Sequence, residues 1–250
     1  MKPSLIAQTI CCALALGGCG GATSNPPNTA EGFWVGTTGT GDTAVLVDLE
    51  VGQFFAVATS SAGDVIKEGL FGSIVGKDST LSGGSGKDFN FTSHTISSIT
   101  STGTVSAKSS ITASTSTGVT ISAAYRSSYD QVADMSTIAR TYSGFGVAGW
   151  AGTGSTTEPI PVYIGADGTT TVTGATCAGT GTTIPKPNAN GKNVFNITIT
   201  FTGASCPLGD GATTYGILIL DQNVTPARAY IMSVINDSSN AFYWTGTATN

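Results

Sequence analysis

Apolar residues recur along this chain as short clusters separated by Gly, Ser, Thr and Asp, the punctuation of an antiparallel β protein. In the first half these clusters predict strands at 32–36, 43–49, 54–59, 69–75, 89–92, 104–109 and 119–125. Alternation is clearest where Val119, Ile121 and Ala123 are interleaved with Thr120 and Ser122, one face for a core and one for water. The run from Val45 to Phe55 reads as a hairpin turning at 50–52. Further strands are predicted at 145–150, 160–164, 169–173, 194–201, 214–220, 229–235 and 241–247, with Asp167-Gly168 as a hairpin turn between two of them. Between 126 and 140 the texture changes. Val132, Met135 and Ile138 have helical spacing and predict one short helix near 130–139, with those three residues on one side. Pro159, Pro161, Pro185 and Pro187 confine their segments to edges or loops, and 179–191 reads as the longest loop.

The fold class that follows is all-β, an antiparallel barrel or sandwich. Two openings, GFWVG at 32–36 and YSGFGVAGW at 142–150, are each followed by hairpins of similar length. Two similar β modules, at 31–127 and 128–250, therefore stand beside one continuous sheet as the alternatives.

The amino terminus has a different logic. Lys2 precedes a mostly apolar stretch at 5–16, then Gly17 and Gly18 precede Cys19, the layout of a secretory signal too short to span a bilayer comfortably. The sequence Leu16-Gly17-Gly18-Cys19 resembles the bacterial lipobox. That resemblance implies a signal peptide at 1–18, acylation of the Cys19 thiol and a flexible tether at 19–30. Multiple acyl chains on Cys19 would make membrane lipid the first partner, at about 0.8 kcal/mol per buried methylene. Gly20 after the cysteine implies the outer membrane, with the periplasmic or surface side left open.

Composition sharpens what the body can do. Without 1–18 the chain keeps 15 acidic and nine basic side chains, a net charge of about −6. No basic patch or Lys/Arg run is present, so nucleic acid is excluded as a partner. Charged residues are only 10 % of the chain, and Thr, Ser, Gly and Ala take their place. Recurring Phe, Tyr, Trp, Val and Ile argue for a packed core rather than a disordered stalk. With Cys19 acylated and Cys11 and Cys12 removed, Cys177 and Cys206 are left to pair in an oxidising compartment. Such a bridge would brace the 179–191 loop.

Candidate chemistry is sparse. The run Gly83-Gly84-Ser85-Gly86-Lys87-Asp88 suggests a phosphate loop but lacks its first Gly at position 81, its Ser or Thr at 88 and a following helix; it reads as a surface hairpin loop. His94 is the single histidine, sits among Ser and Thr, and has no GxSxG nucleophile elbow to serve. Asp48, Glu50, Glu68 and Asp130 are nominal carboxylates for glycoside hydrolysis, with no spacing that joins them. No catalytic, metal or cofactor set is therefore assigned. Trp34, Trp150 and Trp244 are expected to seal the ends of a core, with an aromatic-lined ligand mouth as the alternative.

The leader, the Gly/Thr-rich β body and the opening at Gly32, Trp34 and Gly36 together resemble small bacterial envelope lipoproteins with barrel or calycin-like bodies, the β-barrel part of transferrin-binding lipoproteins among them. This implies a non-enzymatic envelope protein that binds or supports, with an envelope or host protein as further partner and 76–88 and 179–191 as contact loops. The alternatives are a carrier of a small apolar ligand and an envelope hydrolase using Asp or Glu.

Overall fold

The computed structural model describes residues 28–149, 157–187 and 191–249. Cys19 and Trp150, with the signal and lipid anchor inferred from the leader, lie outside them. The described residues form two closed β-barrels in sequence. The first is built from β1 (Gly32–Thr38), β2 (Thr43–Asp48), β3 (Gln53–Thr59), β4 (Ile66–Lys77), β5 (Thr80–Asn90), β6 (Thr95–Ser106), β7 (Ser110–Thr115) and β8 (Thr120–Tyr125). Each strand pairs antiparallel with its chain neighbour, and β1 closes on β8 through Trp34↔Tyr125 to Thr38↔Ile121.

A 3-10 turn at Ser127–Asp130 and the helix α1 (Met135–Ile138) lead to the second barrel. Its strands are β9 (Thr141–Gly149), β10 (Glu158–Pro159), β11 (Val162–Ile164), β12 (Thr169–Thr173), β13 (Ala178–Pro185), β14 (Val194–Thr202), β15 (Thr213–Asp221), β16 (Arg228–Val234) and β17 (Ala241–Ala248). Both β10 and β11 pair with β9 in one register, Glu158↔Gly146 and Val162↔Tyr142, so they act as one strand interrupted at Ile160-Pro161. The second barrel thus also has eight strand positions, closed by β17 on β9.

Closure brings backbones together at glycine in both barrels. A Cβ on Gly36 of β1 would lie 2.0 Å from the Ser122 carbonyl oxygen, and one on Gly144 of β9 would lie 2.1 Å from that of Thr245. These glycines belong to the two similar openings of the sequence, and each sits on the strand that meets the last strand of its barrel.

The long apolar runs in β2, β3, β15, β16 and β17 arise because both faces of these strands are buried. One face fills its own barrel, with Leu46 and Phe54 in the first and Leu218 and Trp244 in the second. The other face enters a shared seam, where Phe33, Val47, Phe55 and Phe89 meet Ile217, Tyr230, Met232 and Tyr243. Tyr243 reaches furthest across: its hydroxyl donates to the Leu70 carbonyl at 3.0 Å. In β7 and β8, by contrast, Ile111, Ile121 and Ala123 alternate with exposed Thr and Ser, because their outer face meets water.

Three expectations are corrected. The expected loops at 76–88 and 179–191 are largely strand where they are described: they contain most of β5 and β13, which pair on both sides within the walls. Their Gly, Ser and Thr content hides them as strands. Gly181 shows why the small residues are there, since its Cβ would lie 1.8 Å from the Thr198 carbonyl oxygen. The predicted strand at 104–109 straddles the turn between β6 and β7. The short helix is present, yet Val132 is 72 % exposed while Ile138 is fully buried, so the proposed common side does not form.

Candidate functional site

The two barrel interiors are filled differently. The second encloses Tyr142, Phe195, Phe201, Phe242 and Trp244, with Ile138 of α1 packed among them. The Cys177–Cys206 disulfide, with Cα atoms 4.6 Å apart, holds the 203–212 loop to this core. Among the described residues, the buried interior of the first barrel holds the rings of Trp34 and Phe54, with Tyr125 packed against Trp34, and otherwise Ala, Leu, Ile and Val.

One end of the first barrel is sealed by the residues just before β1. Asn28 Nδ2 donates to Asp48 Oδ1 and to the Leu49 carbonyl, both at 3.0 Å, and Asn28 Oδ1 accepts from Gly76 N at 2.8 Å. Ala30, fully buried, accepts from Trp34 Nε1 on its carbonyl at 3.0 Å. The Asp48 carboxylate is wholly buried there, with Oδ2 lacking a partner. Burial, despite the Asn28 hydrogen bond, pushes its carboxyl well above the usual range.

The opposite end, formed by the turns after β1, β3, β5 and β7, is open. An opening of about 620 Å³ is lined there by Thr38, Asp42, Lys67, Glu68, Asn90 and Thr117, among others. Directly within, Leu46, Phe54, Leu70, Ile111 and Ile121 wall an apolar cavity of about 20 Å³, room for one methyl- or water-sized group. Val119 borders both spaces.

Register places two carboxylates at this mouth. Glu68 of β4 pairs with Asn90 of β5, and Leu70 with Asp88; since Leu70 belongs to the interior, Glu68, Asp88 and Asn90 share its inward face. Asn90 Nδ2 donates to Glu68 Oε1 at 2.9 Å. Thr117, on the turn between β7 and β8, donates through Oγ1 to Asp88 Oδ2 at 2.8 Å. Asp88 is only 3 % exposed, and its Oδ1 has no partner. Burial raises both carboxyls, and at Glu68 the neighbouring charges of Asp88 and Asp42 add to it. Lys67 Nζ is already committed to Asp42 Oδ1 at 2.6 Å, a hydrogen bond that holds Asp42 below its usual value.

The four nominal carboxylates are not brought together. Asp48 lies at the sealed end, Glu68 at the open one, and Asp130 bridges Lys108 (3.0 Å) and Lys192 (2.7 Å) between the barrels. Glu50 follows β2 at the sealed end. Glu68 instead neighbours Asp88, a pairing that separation in sequence conceals. A signal was present: Glu68 is in phase with Leu70, and Asp88 with Asn90, so polar groups occupy inward positions. Among the described residues, no three Asp, Glu, His or Cys side chains converge as metal ligands. His94 sits in the turn between β5 and β6 with φ of 55°. Trp34 and Trp244 are fully enclosed, each with its indole N–H satisfied by a backbone carbonyl, so neither lines a mouth.

An opening of about 370 Å³ also lies between the barrels, walled by Phe55, Phe71, Asn196 and Tyr215, but no carboxylate lines it. Among the described residues, no helix is long and apolar enough to cross a membrane. No family model, curated protein or solved structure matches this chain. A pair of β-barrels with one polar, open mouth is an architecture for ligand binding or structural support.

Proposed function

We propose that this chain is a lipid-anchored envelope protein whose amino-terminal barrel receives a small, partly apolar ligand through its open end. The observation that carries the reading is the juxtaposition at the mouth: an apolar cavity directly beneath inward-facing Glu68, Asp88 and Asn90. Binding sites combine an apolar wall with a few convergent polar groups in this way. The cavity is small, so a ligand places only its leading end between Leu70 and Ile121 and leaves its polar end in the mouth. The filled second barrel then serves as a rigid support, joined through the seam. The anchor is supported by Leu16-Gly17-Gly18-Cys19, and the envelope as compartment by that leader.

The ligand reading is tested with the full chain in detergent micelles, titrating n-butanol and following side-chain methyl NMR shifts. Saturable shifts are expected at Leu70 and Ile121 but not at Ile199 and Leu218 of the second barrel. Ala113→Leu, which fills the cavity wall, should remove them. Equal shifts in both barrels, or none, would sink the reading. The anchor is tested separately by labelling cells with palmitate: the wild type should incorporate label and Cys19→Ser should not.

A further inference from the structure

We infer that the polar end of this ligand is a primary ammonium group, held by Glu68 and Asp88. The inference rests on the ligand-binding reading above and specifies its chemistry. Acceptors dominate the mouth. Asp88 is nine-tenths buried and more, Thr117 satisfies its Oδ2, and its Oδ1 has no donor. That bond ties the Asp88 carboxylate to Thr117, a residue that lines the opening. Glu68 receives one hydrogen bond, from Asn90. The Asn90 side-chain oxygen cannot add to the donor supply: it accepts from the backbone N–H groups of Thr92 (3.1 Å) and Ser93 (2.8 Å).

Charge points the same way. Asp42 and Glu68 line this opening, Asp88 lies beside Leu70 on the same inward face, and Lys67, the cation lining the opening, is taken up by Asp42. A carboxylate or phosphate head would meet like charge here. Asp88 Oδ1 is already buried without a partner, and a wholly apolar ligand would leave it so. An ammonium group carries three N–H donors and one positive charge. It can satisfy Asp88 Oδ1 and Glu68 together, and it relieves the repulsion between them. Among the described residues, no group of three or more Asp, Glu, His or Cys side chains is placed to hold a metal ion.

The experiment uses the full chain at pH 7 with three probes of one length: n-butylamine, n-butanol and butyrate. Methyl shifts at Leu70 and Ile121 report occupancy. Butylamine should bind at least about tenfold more tightly than butanol, the scale of a charge-assisted hydrogen bond, and butyrate should give no saturable shift. Glu68→Gln and Asp88→Asn should each weaken butylamine far more than butanol, closing most of the gap between the two probes. If Asp88→Asn fails to fold, the isosteric change at half-buried Glu68 carries the test. Butanol binding as tightly as butylamine, or butyrate binding best, overturns the ammonium assignment and leaves the ligand reading standing. Absence of saturable shifts with all three overturns both.

Discussion

The seam between the barrels makes a definite energetic prediction at Gly69. This glycine lies on β4, where a Cβ would sit 2.2, 2.4 and 2.7 Å from three ring atoms of Tyr243 on β17. The ring cannot swing aside freely. It is fully buried, with Phe89 and Phe91 centroids at 6.2 and 6.0 Å, and its hydroxyl is tied to the Leu70 carbonyl at 3.0 Å. Gly69→Ala therefore overpacks the seam, at about 1–3 kcal/mol. Displacing the ring also strands a buried hydroxyl, at a further ~1–3 kcal/mol. A total loss of roughly 2–6 kcal/mol follows from these two terms. Tyr243→Leu alone should cost about 2–4 kcal/mol, a little under a full aromatic truncation. In the double variant the smaller leucine leaves room for the new methyl, so the combined loss should fall short of the sum by about 1–3 kcal/mol. Urea unfolding of the four proteins, read as the midpoint at constant slope, measures this coupling. Additivity within about 0.5 kcal/mol would refute the argument that these two residues, one from each barrel, compete for the same space.

Replacing Cys177 and Cys206 together by Ala should lose about 3–4 kcal/mol, from the chain entropy of a loop of 29 residues' separation; a loss under about 1 kcal/mol in urea unfolding would contradict it. Asp48 has a folded-state pKa raised by burial, so stability falls as pH rises from about 4, where the unfolded carboxyl ionises, through its higher folded value. Asp48→Asn should flatten that decline, matching or exceeding the wild type in melting temperature at pH 8; equal pH slopes would count against it. Asp130 shows the opposite sign: burial opposes ionisation, but hydrogen bonds from Lys192 and Lys108 outweigh it and hold the carboxyl at about 2. Its contribution is present above pH ~4 and is lost as pH falls towards 2, so Asp130→Asn should lose less stability than the wild type on acidification, as acid melts would show.

What the sequence determined by itself was local. Period-two alternation exposed β8, continuous apolar runs exposed β2, β3 and β15 to β17, and Asp167-Gly168 marked the turn before β12, because burial of a strand face selects Val, Ile and Phe regardless of what covers it. Two cysteines left over from the leader named the bridge that the structure contains. β5, β7 and β13 stayed hidden in Gly, Ser and Thr, since wall positions pressed against a neighbouring backbone or facing water call for small or polar residues rather than a hydrophobic signature. Closure into two barrels, and the seam that joins them, depend on register between strands far apart in the chain: β1 with β8, β9 with β17, and Tyr243 with Gly69. The same register brings Glu68 and Asp88 to one mouth, and only the tertiary structure decides it, because inward direction and the company of other charges are properties of a closed wall rather than of any single strand.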